Sequence, residues 1–185
     1  QSEPSTYRYD PADPTPSVHG PTIGTRPAVV DMARLERRSD VLLFTGAPLD
    51  ADTDIAGVVH ADLHFRSSCA HVDFYVCLCD VDARGLSTNV CDGYIRLRHI
   101  GLSQSQSEKG IDGVHSVRIE FWPIAYRFRS GHRMRVIVAS GAHPRYSRNH
   151  GTGEPLGDAV HFQSSEQEIF HDDAHPSRVV VPVCV

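Results

Sequence analysis

The chain has 185 residues, 40% of them hydrophobic, and carries a net charge of −5 with histidine neutral. That length suits one domain, or one domain plus an arm, with enough apolar residues for a real core. Acidic and basic residues are interspersed without a basic stripe, which argues against a nucleic-acid partner, and no apolar stretch approaches the ~18 residues of a membrane span.

The first residues, "QSEPSTYRYDP", lack a charged start followed by an apolar run, so no signal peptide is expected; a chain that does not begin with Met reads as processed or cut from something longer. Residues 1–38 are irregular and carry Pro11, Pro14, Pro16, Pro21 and Pro27. Proline fixes φ and withholds a backbone donor, so this stretch is expected to be an extended N-terminal arm packing on the domain that follows. From Ser39 the texture changes. "VLLFT" (41–45) reads as a short buried strand. In "VVHADLHF", Val59, Ala61, Leu63 and Phe65 point one way and Val58, His60, Asp62 and His64 the other, the period of a strand with one wet face. "FYVCLCDV" (74–81) is apolar on both faces and is placed mid-sheet. "YIRLRHI" and "SVRIEFW" alternate again, and "HRMRVIVAS" and "SRVVVPV" complete the set. "SEQEIF" reads as the start of a short helix. Turn signals fall at Gly46–Pro48, Ala83–Gly85, Gly110–Gly113, Ser130–Gly131 and Gly151–Gly153. Seven to eight strands punctuated by turns, without a convincing amphipathic helix, predict an all-β sandwich over 39–185, and the longer loops favour a jelly roll.

Five cysteines, Cys69, Cys77, Cys79, Cys91 and Cys184, are an odd number. Free thiols in a reducing compartment, and so a cytoplasmic protein, are the plainer reading. Cys77 and Cys79 share one side of their strand and suit small core positions; the spacing is not that of a zinc ribbon. His60, Asp62 and His64 share a face, but residues four apart on a strand lie roughly 13 Å apart, too far to meet on one ion. "LDADTDIAG" opens like a calcium loop, yet Ile55 and Ala61 stand where glycine and glutamate are needed, so Asp50, Asp52 and Asp54 read as acidic turn residues. No motif calls for a metal or cofactor. A G-x-S-x-G elbow is missing, and "GLSQSQ" fails at its last position. His175 before Pro176 reads as the lead-in turn to the last strand. Trp122 is the one aromatic available for a sugar platform; Trp122, Tyr126 and Phe128 together suit an edge of the sandwich or a domain contact instead.

The segments "YRYDPADPTPSVHG", "RSDVLLFTGAPLDADTDIAGVV", "VDFYVCLCDVDARGLSTNVCDGYIRLR", "SGHRMRVIVAS…HPRYSRNHGTG" and "HDDAHPSRVVVPV" follow one another in an order that resembles the C-terminal non-catalytic domain of the X-Pro dipeptidyl-peptidase and CocE/NonD hydrolase family, from Tyr7 to Val183. The resemblance implies a galactose-binding-like jelly roll packed beside an α/β-hydrolase domain that carries the catalytic triad elsewhere. The chain itself would then be an accessory body of an ester- or amide-cleaving enzyme, with an oligomer contact as a further role. A free-standing carbohydrate-binding module is the alternative. In the family the segment after the DP-x-x-P turn can reach the substrate pocket; the matching residues are Thr22, Ile23 and Gly24, with His19–Gly20 where Gly-Gly is common. The family's S-S-N-F-P-R-Y-D-R-N loop stands as "SGAHPRYSRN", so Ala142, His143 and Ser147 depart from it while Arg145, Tyr146, Arg148 and Asn149 remain. A loop this polar needs partners if buried. Arg145 or Arg148 is expected to bond backbone carbonyls or a carboxylate such as Asp73, and Tyr146 to pack on the sandwich, giving a structural or docking loop.

Overall fold

The computed structural model describes residues 3–18, 29–100, 108–110 and 112–184. Antiparallel strands make up nearly all its regular structure. In chain order they are β1 (Ser5–Tyr9), β2 (Val41–Thr45), β3 (Thr53–Gly57), β4 (His60–Ser67), β5 (Val72–Val81), β6 (Ser87–Leu97), β7 (Glu108–Lys109), β8 (His115–Glu120), β9 (Ile124–Phe128), β10 (Arg133–Ala139), β11 (Ser165–Phe170) and β12 (Arg178–Val180), with one short helix, α1 (Ala33–Glu36), before β2. One sheet runs β1-β11-β4-β8-β7, with β12 also on β4; a second runs β2-β10-β5-β6; β3 and β9 form a two-stranded ribbon. The architecture is the jelly-roll β-sandwich, galactose-binding-domain-like, that the sequence predicts.

Alternation places the main core. Val59, just before β4, and Ala61, Leu63 and Phe65 of β4 are all buried in one core with Phe74, Val76 and Leu78 of β5, and the rings of Phe65 and Phe74 meet edge to face at 4.6 Å. The two sheets approach tightly at Gly93 on the inner face of β6. A Cβ there would lie 2.5 Å from the Phe121 ring and 2.9 Å from Ile119, so glycine is what lets β8 and its extension cross β6.

All ten residues of β5 are buried, because it is interior to its sheet and because that sheet is covered on its outer face as well. The cover is a second core, in which Met32, Leu35 and Ala142 pack over Tyr75, Cys77, Cys79, Ile137 and Ala139. Cys77 and Cys79 occupy it as expected of small apolar residues, with their sulfurs 3.7 Å apart.

Several expectations are corrected. "SEQEIF" is strand β11, pairing with β1 and β4; Ser165, Gln167 and Ile169 are buried while Glu166 is exposed, which is period two. Within the expected arm, Ser5–Tyr9 is an edge strand of the larger sheet, and α1 carries Leu35 into the second core. Finally, the described strands number twelve, since β1, β3, β7, β9 and β11 were not anticipated as strands. Asp54, taken as a turn residue, lies on β3 and pairs with Arg127 of β9 at 2.6 Å, while Asp52 accepts from the Ser130 backbone.

Candidate docking site on the outer face of the second sheet

The site is built by strand register. On β5 the outward side chains are Asp73, Tyr75 and Cys77; opposite them on β6 stand Arg96, Tyr94 and Asp92. "DGYIR" therefore presents Asp92, Tyr94 and Arg96 in a row on one face, alternating with Gly93 and Ile95 towards the main core. The loop after β10, residues 140–153, folds back over this row.

Asp73 is 2% exposed and fully engaged. Arg96 forks onto it at 2.9 and 2.7 Å, the Tyr94 hydroxyl donates at 2.5 Å, and the Asn149 amide donates at 2.8 Å. Arg96 also donates to the Ser147 carbonyl. Asp92, 4% exposed, accepts both terminal nitrogens of Arg145 at 2.6 and 3.0 Å and the Tyr75 hydroxyl at 3.2 Å. Between the two carboxylates the Tyr146 ring stacks flat on Tyr94 at 3.9 Å, with the Arg145 guanidinium 4.9 Å from its centre. Arg148 donates to the Pro11 carbonyl at 3.1 Å. Thus Arg145, Tyr146, Arg148 and Asn149 converge on one face. The carboxylate gripped by Arg145 is Asp92; Asp73, the expected one, is taken by Arg96 and Asn149.

The arm is fastened to the same loop. Pro16 bridges His143, the Ser17 amide donates to the His143 carbonyl at 2.7 Å, and the His143 amide donates to Thr15 at 2.9 Å. A third buried carboxylate, Asp40, accepts Thr15 Oγ1 at 2.6 Å and a fork from Arg38, which also pairs with Asp13. The Tyr7 hydroxyl meets Ser140 at 2.8 Å.

Burial, and then Asp73, push the Tyr94 hydroxyl far above the ordinary phenol range. The hydrogen bonds to Asp73 hold Arg96 above its usual value. Burial pulls Arg145 down, but its bonds to Asp92 outweigh that and leave it raised. Every donor here is thus held in the form its partner needs. These are structural charges: their hydrogen bonds end inside the protein.

The other candidate groups are spread elsewhere. Thr22, Ile23 and Gly24 lie outside the described residues. The Asp62 carboxylate of the "HADLH" face is claimed by Arg118 at 2.7 Å and Arg178 at 3.1 Å. His175 has a carboxylate on each ring nitrogen, Asp112 at 2.8 Å and Asp172 at 3.4 Å, so neither nitrogen is left for a hydroxyl. Ser5 Oγ lies 3.1 Å from His171 Nε2 on an exposed edge strand. Tyr126 donates to Asp80 and Phe128 is buried, whereas Trp122 is 64% exposed.

Residues 1–180 match the family model of the X-Pro dipeptidyl-peptidase C-terminal non-catalytic domain. The chain belongs to that family. Among curated relatives, the cocaine esterase of Rhodococcus sp. (strain MB1 Bresler) is 31% identical over 184 residues, covering 96% of this chain and 32% of the esterase. Among solved structures, an α-amino acid ester hydrolase superposes with a TM-score of 0.84 at 26% identity, covering all of this chain and 33% of that one. An aminopeptidase from a marine sediment archaeon, Thaumarchaeota archaeon, shares the fold with a TM-score of 0.84 at 23% identity over 34% of its chain. The X-Pro dipeptidyl-peptidase C-terminal domain described here therefore spans about a third of the length of the hydrolases it matches. No described helix is long and apolar enough to cross a membrane.

Proposed function

We propose that this domain is the accessory body of an α/β serine hydrolase acting on ester or amide bonds, X-Pro dipeptides included, and that it stabilises the enzyme and shapes its active-site mouth. The triad belongs to polypeptide outside this chain. The observation that carries the reading is the seating of the 140–153 loop. Arg145 on Asp92 and Asn149 on Asp73 fix a polar loop to the sheet through buried charge, and the same chain continues into a stretch where Leu156, Val160 and Phe162 are exposed. Rigid backing behind exposed apolar side chains is what a domain contact needs. On this reading the exposed stretch meets the catalytic domain, and Thr22, Ile23 and Gly24 are the residues that the family resemblance assigns to the substrate pocket.

The test joins this domain to the catalytic domain encoded before Gln1, where a nucleophile elbow followed by Asp and His is expected. Val160→Asp should shorten the half-life of ester turnover at raised temperature while leaving the melt of the isolated domain unchanged. An unchanged half-life, or a reading frame without an elbow, removes the proposal. Trp122, standing alone and exposed, keeps the carbohydrate-binding alternative in play. A glycan screen with hits abolished by Trp122→Ala would favour it.

A further inference from the structure

The strand that flanks β4 on one side is broken in two. β11 ends at Phe170 and β12 starts at Arg178. The residues between, 171–177, leave the sheet as a strap. His175 holds the strap down, 2.8 Å from Asp112 and with its ring against His64 and Phe170.

Where a continuous strand would have closed the wall, a cavity of about 150 Å³ opens between the two sheets. Phe44, Leu63, Val136, Val138, Ile169 and Val179 line it, with His171, Ser177 and Arg178 at its rim. Several rim atoms already have partners. The Ser177 hydroxyl accepts the His64 backbone N–H at 2.8 Å, Arg178 Nε donates to Asp62 at 3.1 Å, and His171 Nε2 faces Ser5 Oγ at 3.1 Å.

We propose that this slot is a binding site for a small uncharged hydrocarbon-bodied ligand: one aromatic ring, or a branched alkyl group of similar size. Three arguments select that class. Water in a slot walled by hydrocarbon finds few hydrogen-bond partners, so an apolar occupant gains contacts without displacing well-bonded water, and about 150 Å³ is room for a ring of benzene size. A charged or strongly polar ligand would lose its hydration against walls of hydrocarbon. The Phe44 ring in the wall offers an edge or face to an incoming ring. The site lies between the sheets, on the opposite face of the second sheet from the 140–153 loop, and does not depend on the accessory role.

The experiment titrates toluene, and separately benzoate, into the methyl-¹³C-labelled protein and follows its NMR spectrum. Saturable toluene shifts confined to the methyls of Leu63, Val136, Val138, Ile169 and Val179 are expected, with benzoate binding at least tenfold more weakly. Val136→Phe fills the slot and should abolish the toluene shifts. If that variant does not fold, a bulkier probe, naphthalene, on the unsubstituted protein serves instead and should bind more weakly than toluene. The proposal is overturned by no saturation up to the solubility of toluene, by equal binding of benzoate, or by shifts spread over surface methyls such as Val58 and Val160.

Discussion

Arg145→Ala isolates the seating of the loop. The substitution removes two charge-assisted hydrogen bonds from Asp92, which is 4% exposed and also accepts the Tyr75 hydroxyl at 3.2 Å. Removing one partner of a buried ion pair costs about 3–5 kcal/mol, because the remaining charge stays out of water. The Arg145 side chain is 17% exposed, so water partly reaches the site and about 3 kcal/mol is the appropriate end of that range. Unfolding entropy of about 2.1 cal/mol/K per residue gives roughly 0.4 kcal/mol/K for 185 residues. The expected loss is therefore about 8 °C in Tm, read by calorimetry or circular dichroism. The buried carboxylate that loses its guanidinium is the cause, so adding Asp92→Asn to Arg145→Ala should recover part of the loss. A single variant melting within about 1 °C of the parent, the range of an ordinary surface change, refutes the reasoning. So does a double variant that melts below the single one by the full cost of losing Asp92.

Other perturbations test other parts of the fold. Gly93→Ala forces a methyl into Phe121, Ile119 and the Glu120 carbonyl, and overpacking of this kind costs about 1–3 kcal/mol, visible in urea denaturation as a lower midpoint. Cys184 is the exposed thiol and the other four are buried, so a thiol reagent should label one cysteine in the native protein and five after denaturation. The Arg118 hydrogen bond, helped by Arg178, holds Asp62 below the usual carboxylate range. Its contribution is complete above about pH 4 and is lost as pH falls through the lowered folded value, because the unfolded chain then binds more protons. Asp62→Asn should flatten this acid limb of Tm against pH. At the other end, burial pushes the Cys91 thiol up to about 12 and raises Tyr7 and Tyr94 as well. The folded state then holds protons that the unfolded state releases, so stability should fall from about pH 9 upwards.

Side-chain alternation made the two sheets of the sandwich legible. The inward set on β4 and the two-sided burial of β5 follow from period two and from an uninterrupted apolar run. Alternation did not reveal which outward residues would be covered. The charged row Asp92, Tyr94, Arg96 reads as a solvated face until the arm and the loop are laid over it, and that requires contacts between residues 11 and 148 or 15 and 143. A signal was present nonetheless: Asp73 and Tyr75 share the outward face of a strand with no wet side, and a buried carboxylate on such a strand demands a cationic partner. "SEQEIF" was misread for a local reason. Its glutamates favour a helix by propensity, and the deciding factor is the sheet edge on which Ser165, Gln167 and Ile169 are buried.

Why the outer face of this sheet is tied down by charge as well as by apolar packing follows from what each interaction specifies. The second core is small, and Met32, Leu35 and Ala142 could slide over Cys77, Cys79 and Ala139 at little cost, since apolar contact is not directional. A guanidinium fork on a carboxylate is directional, and a misplaced one strands a buried charge. Arg38 between Asp40 and Asp13, Arg96 between Asp73 and the Ser147 carbonyl, and Arg145 on Asp92 therefore act as three pins for one arm and one loop. Each pin has the form of a guanidinium against a carboxylate at or beside a strand of the second sheet. Replacing a pin with hydrocarbon of equal volume would preserve stability but leave the register of the loop open. The cost of the pins in desolvation is the physical signature of a surface whose position matters, which is the property that a fixed neighbour would require of it.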